Sequence, residues 1–342
     1  MGERNEAEGA RRMTNDLDLL KQLAPKDATA LDVARREDDL ADILATPRTG
    51  GSTTGSQGRI PRRAVIGGLA AAGAASILVV GPPLLPGSKP AAAFAATPPV
   101  LDGCLAEGGP ATQTLTSAAA TAAGSTLMGA LGSRYSTWSL FTRVVNDQPV
   151  RSAVVPQNVD FSLVADGSGQ RTVRIGAPEV PAGYDVSDFD LPTPGTVIRD
   201  EKYGPGQTPR IYAGALSAED STLWDQLRQA HPIAELGTGE LFVAITDLYK
   251  EQRPDPAVRA QLLRLLASRT DVLDLGTLRD REGRAGLGIG VSTSQPGGLP
   301  ARFVMVFDHV TGLLLSYEQI LTSSPGKLEV KIPAVIDYAL FR

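Results

Sequence analysis

The sequence predicts an α+β fold: an antiparallel, half-open sheet with helices on one face, preceded by one transmembrane helix and a short helical cytoplasmic tail. Three observations lead to this prediction. An uncharged stretch lies about sixty residues into the chain, strand-like stretches recur after residues 130 and 270, and three amphipathic stretches lie between them. Strands grouped before and after a block of helices are typical of α+β domains.

The composition limits the class of protein. The chain has 342 residues, of which 42% are hydrophobic, and a formal net charge of −5. An acidic chain lacks the basic face of a nucleic-acid binder, so nucleic acid is not expected as a partner. The single cysteine excludes an intrachain disulfide. Translation can start at Met1 or at Met13.

Residues 1–58 form a predicted cytoplasmic tail and linker. Asn15 or Asp16 can cap a short helix, and Leu31–Leu44 has the spacing of a second one. Residues 46–58 are rich in Gly, Ser and Thr, which is typical of a flexible linker. The tail is either a solvated juxtamembrane segment or a docking motif for a cytoplasmic partner, since such short helices need a surface to bury against.

Residues 62–85 form the predicted transmembrane helix. Its apolar part, Ala64–Val80, has seventeen uncharged residues and reaches ~25 Å as a helix, slightly less than a ~30 Å hydrocarbon core. The topology residues Arg59, Arg62 and Arg63 precede it. The positive-inside rule therefore predicts a single-pass protein of the cell membrane, with a cytoplasmic N-terminus and an extracytoplasmic C-terminus.

A cleaved export signal is the alternative for this segment. Arg62-Arg63 followed by Ala64, Val65 and Ile66 resembles a twin-arginine signal, and Ala93 and Ala95 form an A-x-A step that a signal peptidase could cut. We favour the uncleaved anchor, because the preceding segment is much longer than a normal signal n-region and has its own pattern.

Residues 86–110 are rich in Pro, Ala and Gly and predict a spacer between the membrane and the folded domain. Cys104 lies in this spacer. Asp102 does not fit a lipobox, and the site lies about twenty residues beyond the apolar stretch. We therefore expect Cys104 to be an exposed thiol without a lipid.

Residues 111–342 form the predicted extracytoplasmic domain. Helical spacing predicts a first helix from Thr112 that includes Leu127. Later helices are predicted at Ser217–Ala230, with a Ser217 cap, at Thr238–Lys250, and after the Asp255-Pro256 cap. A sheet of seven or eight strands is expected, with strands at Tyr135–Val145, Val159–Ala165, Arg171–Ile175, Val272–Leu278, Ala285–Val291, Arg302–Phe307, Leu313–Ile320 and Leu328–Ile336. Residues 176–209 predict a long irregular segment.

The motifs that carry chemistry are weak. His231 and His309 are expected in capping or turn roles, and Trp138 and Trp224 as core anchors. The glycines at 286, 288 and 290 lie in a strand pattern with no helix after them, unlike a nucleotide loop. Solvated loop charges explain the acidic residues best, although Ca²⁺ remains an alternative for this set: Asp188, Asp190, Asp200 and Glu201. No catalytic set, cofactor or metal site is expected.

Several short motifs, in this order and spacing, resemble an actinobacterial family of uncharacterised single-pass membrane proteins whose genes are often associated with sigma factors. The match covers most of the chain: Asp16–Leu20, the arginines before the apolar helix, Trp138–Leu140, Asp166–Gly169, Gly237–Phe242, Asp255-Pro256, Phe307-Asp308 and Thr311–Leu314. The resemblance implies the same topology, a sigma factor or other cytoplasmic regulator as partner, and no catalytic residues.

More distantly, the exported half resembles half-open sheet domains of the LolA/RseB type, which hold lipid or lipoprotein segments. Two functions are therefore expected. The first is a non-enzymatic membrane protein with an extracytoplasmic sensing or binding domain. The alternative is an exported lipid or lipoprotein carrier.

Overall fold

A computed structural model describes residues 78–80 and 95–342, apart from 146–147, 182–184, 190, 213, 294–298, 327 and 329. All of these residues belong to one compact unit, Thr49–Arg342. The predicted cytoplasmic tail lies outside the described residues. The predicted membrane segment does too, except for Leu78–Val80.

Strands and helices follow the order of the chain. The strands are β1 Leu78–Val80, β2 Gly109–Pro110, β3 Ala130–Leu131, β4 Ser133–Val145, β5 Gln148–Leu163, β6 Gly169–Ile175, β7 Val197–Tyr203, β8 Gln252–Arg253, β9 Leu273–Arg279, β10 Ala285–Thr293, β11 Ala301–Phe307, β12 Leu314–Leu321 and β13 Ala334–Phe341. The helices are α1 Thr112–Ala123, α2 Asp220–Ala230, α3 Ile233–Leu236, α4 Thr238–Glu251 and α5 Pro256–Ala267, with a 3-10 turn at Val186–Asp188.

The molecule is α+β, and its large sheet has the strand order β2-β9-β10-β11-β12-β13-β4-β5-β6-β7. Neighbouring strands along this path are antiparallel, and β1 pairs in parallel with β4. Within the described residues the sheet has eleven strands, so the expected seven or eight was too few. A separate two-stranded ladder joins β3 and β8.

One face of the sheet packs against the helices. Alternate residues of β11 point to this face, and Phe303, Met305 and Phe307 join the same apolar core as α1, α4 and α5. Phe242 and Ile245 of α4 are fully buried in it. Burying a side chain of this size contributes ~1.5–3 kcal/mol, so this helix–sheet contact stabilises the domain.

The opposite face is covered by residues 95–108, an irregular segment with a turn at 102–105, which we call the strap. Ala95 forms a parallel bridge with Val330, and the chain then crosses the sheet to β2, which pairs with β9. Val100 and Leu101 pack against an apolar cluster that includes Trp138. The prediction of a spacer from 86 to 110 was therefore wrong from Ala95 onward.

The pattern was misleading here because Pro and Ala favour an extended chain without indicating what that chain packs against. The environment of Cys104 also differs from the prediction. The sequence predicted an exposed thiol, but Cys104 is only 1% exposed and belongs to the apolar cluster beneath the strap.

Most predicted elements are confirmed, and the differences are at their boundaries. The turn between β5 and β6 contains Gly167 with a φ of 79°, as the hairpin signal indicated. The first helix ends at Ala123, so Leu127 lies exposed in the following loop. The last strand begins at Ala334 rather than at residue 328. Pro333 immediately precedes it, and proline cannot donate a ladder hydrogen bond.

Two further corrections concern the middle of the chain. The long segment predicted as irregular contains β7, an edge strand. Its mixed, partly exposed charges lack the apolar alternation by which strands are recognised. The Ser217 hydroxyl accepts a hydrogen bond from the Glu219 backbone N–H, and α2 begins only at Asp220.

No helix among the described residues is long and apolar enough to cross a membrane. Leu78–Val80, at the end of the apolar stretch, are placed as β1. The prediction of a helix over residues 62–85 is therefore wrong at these three residues, which pair with β4. The other residues of that predicted helix lie outside the described part of the chain, where it stays a prediction.

Candidate functional site

The junction between the strap and the sheet is built around Arg281, in the turn between β9 and β10. Its Nε donates to Glu318 Oε1 at 2.8 Å and its Nη2 to Glu318 Oε2 at 2.7 Å. The same Nη2 donates to the carbonyl oxygen of Pro99 in the strap at 3.1 Å. The guanidinium also lies 4.4 Å from the ring centroid of Tyr338. One side chain therefore connects the strap to β12 and β13.

Glu318 is a buried carboxylate on the strap side of β12. Its side chain is 1% exposed, and it pairs across the ladder with Tyr338. Burial raises the pKa of Glu318 to about 7, even though Arg281 acts to lower it. Removing this carboxylate from water therefore costs more free energy than its ion pair with Arg281 contributes, as is common for buried pairs.

Arg302 holds the strap at a second point. Its Nη2 donates to the carbonyl oxygen of Ala106 at 2.7 Å and its Nη1 to Ser292 Oγ at 2.9 Å. Cys104 lies between the two arginine contacts, and burial raises the pKa of its thiol to about 12. A thiol in this state is neutral and a poor nucleophile.

A second buried polar cluster lies on the helix side. His231, at the end of α2, places Nδ1 2.7 Å from Glu240 Oε1 and Nε2 3.7 Å from Asp247 Oδ2. Tyr212 stacks on the imidazole with 6.1 Å between the ring centroids, and its hydroxyl donates to the Ala244 carbonyl oxygen. Both carboxylates belong to α4, so the imidazole fastens that helix to α2.

The same cluster continues to the sheet. Lys250 Nζ lies 3.0 Å from Asp247 Oδ1. Burial alone would lower the pKa of Lys250, but the carboxylates of Asp247 and Asp337 raise it, so the ammonium stays charged. Burial raises the pKa of Asp337 to about 7, although Lys250 lowers it. Asp337 and Glu318 thus lie on opposite faces of the sheet with similar pKa values.

Both clusters bury their charges inside the fold. Glu251 likewise accepts hydrogen bonds from the backbone N–H groups of Ile211 and Tyr212, which fixes the loop before α2. Within the described residues, no group of three or more His, Cys, Asp and Glu could hold a metal ion. Chemically, these arrangements can take up protons and change packing. Buried titratable groups with shifted pKa values cluster at functional sites, which makes these groups candidates for function.

The predicted site residues are distributed as follows. The topology residues Arg59, Arg62 and Arg63, and Ala93 of the A-x-A step, lie outside the described residues. Ala95 is half-buried and bridged to Val330.

The structure shows the surroundings of both histidines and of the acidic residues Asp200 and Glu201. The backbone of His231 caps α2, as expected, but its buried ion pair was not foreseen. His309 is exposed in the Asp308–Gly312 turn. Asp200 accepts a hydrogen bond from Gln170, and Glu201 accepts one from Tyr203, so both have partners within the sheet.

The two tryptophans and the glycine run were interpreted correctly in most respects. Trp138 is buried in the cluster beneath the strap, and Trp224 is half-buried under the Arg269 guanidinium. The glycine run lies within β10, and a Cβ at Gly288 would collide with Leu278. Gly288 and Gly290 therefore allow close packing against β9, and Gly286 allows close packing against Phe307 of β11.

Sequence reasoning missed Arg281, Glu318, Arg302 and Asp337. A signal for two of them was present, because Glu318 and Asp337 each interrupt a strand of mainly apolar residues near the C-terminus. A carboxylate at such a position requires a partner. The identity of that partner is not a local property of the sequence.

Comparisons with known proteins add little to this geometry. No protein-family model matches the chain, and no curated protein matches it either. Among solved structures, the chain is similar to one from the complex of Pseudomonas aeruginosa MucA and MucB, with 15% identity and a TM-score of 0.25. The match covers 68% of this chain and 55% of that chain. Similarity at this level transfers neither fold nor function.

Proposed function

We propose that this protein is a non-enzymatic, single-pass membrane protein whose extracytoplasmic domain senses or binds a ligand and signals to a cytoplasmic regulator. The docked strap supports this proposal most directly. Leu78 already pairs with β4, so the predicted crossing must end before this residue, and ~60 Å of extended chain is the most that separates it from the strap at Ala95. A change that moves the strap would therefore act within this distance of the membrane.

The membrane topology is tested by fractionating cells that express the full chain with a different tag at each end. We expect one full-length band in the membrane fraction, with a C-terminal tag that added protease removes from intact protoplasts. The N-terminal tag should be protected. A released fragment that starts near Ala96 would instead establish a cleaved signal and would rule out signalling across the membrane.

The cytoplasmic partner that we propose is a sigma factor or another transcription regulator. This part depends on the family resemblance and on the two amphipathic stretches of the tail. Immobilised tail, residues 13–58, should retain such a regulator from a lysate of the source cells. A scrambled tail of equal composition is the matched control. Retention of the same proteins by both peptides would contradict the proposal.

A lipid or lipoprotein carrier remains the alternative, and the observed packing does not favour it. A carrier of the half-open sheet type needs an apolar cavity. In the described part of the chain, the helix-facing side of the sheet is filled by the protein's own residues, including Phe242, Ile245 and Leu248. Mass spectrometry of the purified 95–342 fragment distinguishes the two functions, because a carrier should retain lipid at near-stoichiometric amounts.

A further inference from the structure

The strap lies on the sheet without strand pairing over most of its length, and Val100, Leu101 and Cys104 pack in the apolar cluster beneath it. Between Ala96 and Gly108 it is fixed by side chains, with Arg281 bound to the carbonyl oxygen of Pro99 and Arg302 to that of Ala106. Ladder pairing is confined to its ends, at Ala95 and at β2. A segment held in this way can leave the sheet without breaking the ladder among β9, β10, β11, β12 and β13.

The carboxylate of Glu318 lies directly beneath this segment. It faces the strap side of the sheet, where Arg281 binds it and the carbonyl oxygen of Pro99 at once. The strap therefore helps to exclude water from Glu318. When the strap leaves, the carboxylate gains water while the ion pair with Arg281 can persist.

We propose that Arg281 forms a clasp between Glu318 and the strap, and that ionisation of Glu318 favours release of the strap, because the charged carboxylate gains water when the strap leaves. The docked strap favours the neutral carboxyl because it removes water from it. The released state favours the charged carboxylate, which is then hydrated. The protein thus releases its strap as the pH outside the membrane rises and docks it as the pH falls.

The groups that face Glu318 are consistent with this direction. From the β9–β10 turn, Arg281 lowers its pKa and Asp280 raises it; Asp337 of β13 also raises it. Burial raises the pKa of Tyr338 to about 12, so this neighbour on β13 stays neutral, as does Cys104 in the strap. Burial is the largest influence on Glu318, and strap release would remove much of it.

Linkage gives the size of the effect. The pKa of Glu318 is about 7 while the strap is docked, and 4.5 is the value for a carboxyl that is fully hydrated after release. Because the released state loses its proton at a lower pH, the strap opens more readily at higher pH. Between pH 6 and pH 8, the released fraction should rise about tenfold if release hydrates Glu318 fully.

Cys104 provides the measurement, because it is the single cysteine of the chain and its thiol is buried between the strap and the sheet. We would measure the labelling rate of Cys104 by a maleimide in the full chain, in detergent micelles, from pH 6 to pH 8. Thiols react faster at higher pH in any case, so each rate is divided by that of Glu318→Gln at the same pH. This division removes the intrinsic reactivity of the thiol.

We expect the ratio of wild type to Glu318→Gln to rise about tenfold over this range. Asp337→Asn is the matched control, because its carboxyl has a similar pKa but lies on the helix side of the sheet. The ratio of wild type to this control should stay nearly flat. Labelling that accelerates steeply with low concentrations of urea would report global unfolding instead of strap release and would overturn the proposal.

A flat ratio of wild type to Glu318→Gln would overturn the clasp, and so would rapid labelling of both proteins at every pH. The consequence for signalling rests on the proposed membrane anchor, but the labelling result does not. Failure of the clasp leaves the tag experiment unaffected, whereas a cleaved signal leaves the labelling result intact and removes only the signalling role.

Discussion

Arg281 illustrates how much of this fold depends on single side chains. Its guanidinium binds a carboxylate of β12, a carbonyl oxygen of the strap and the face of Tyr338. Arginine suits this position because its planar fork can bind a carboxylate through two bonds while a third donor remains for another acceptor. A lysine could not make the same set of contacts.

Replacing Arg281 by methionine should lower the free energy of unfolding by about 3 kcal/mol, because it leaves Glu318 buried without its cation. The loss should be greater at pH 8 than at pH 6, since Glu318 can take up a proton at the lower pH. Urea denaturation of the 95–342 fragment measures both values. The control is Arg279→Met in the preceding strand, where the side chain is exposed and a change within ~0.5 kcal/mol is expected. Equal losses in the two variants would contradict the assigned role.

Gly312 is a second position where one residue decides local packing. Its φ is 66°, and a Cβ there would meet Ala122 of α1 and Leu263 of α5. Gly312→Ala should therefore combine backbone strain with overpacking and cost about 2–4 kcal/mol. Gly276 also has a positive φ, of 72°, but a Cβ there would meet nothing. Gly276→Ala should cost only about 1 kcal/mol, and thermal unfolding of both variants tests the difference.

At the scale of elements, the strap behaves as part of the domain. It covers Trp138, Val304 and Ile320 on the face that the helices leave open. A sheet with one face in the core and the other solvated would show polar residues on that second face. Apolar residues there imply a cover, which the pattern of residues 86–110 did not reveal.

Removing the strap should therefore expose an apolar surface and deprive Arg281 and Arg302 of their carbonyl acceptors at Pro99 and Ala106. A fragment that starts at Thr112 should aggregate or unfold at a much lower urea concentration than a fragment that starts at Ala95. It should also bind more of a dye that recognises apolar surface. Equal urea midpoints for the two fragments would show that the strap contributes nothing to the stability of the domain.

For the whole molecule, the two acids with raised pKa values set a dependence of stability on pH. Glu318 and Asp337 both have a pKa of about 7 in the folded protein. The pKa values of both groups are lower in the unfolded chain. At a pH between the unfolded and the folded pKa values, the folded state therefore binds more protons than the unfolded state. The contribution of these two groups to the free energy of unfolding is complete when the pH is below the unfolded pKa values. It is lost as the pH rises through 7.

We therefore expect the free energy of unfolding to fall by a few kcal/mol between pH 5 and pH 8. Urea denaturation at several pH values measures this slope. The double variant Glu318→Gln, Asp337→Asn carries no titrating carboxyl at either position and should show a much flatter profile. An unchanged slope in that variant would assign the dependence to other groups.

Periodicity and turn chemistry made much of the fold predictable. The alternation of β11, the glycine of the β5–β6 turn and the Asp255-Pro256 start of α5 are local features, and each appears where the sequence indicated. The side chain of Asp255 nevertheless accepts a hydrogen bond from the Gly129 backbone N–H, 126 residues away. Local rules located the helix start but not this contact.

The sequence by itself determined the α+β class, most element positions and the expectation of a membrane segment, because these depend on residues that are neighbours in the chain. Only the tertiary structure decided that the strap is docked, that Cys104 is buried and that Glu318 meets Arg281. The last pair is 37 residues apart, and Arg302 reaches across 196 residues to Ala106. Such contacts depend on which strands become neighbours in the sheet, and no local pattern encodes that choice.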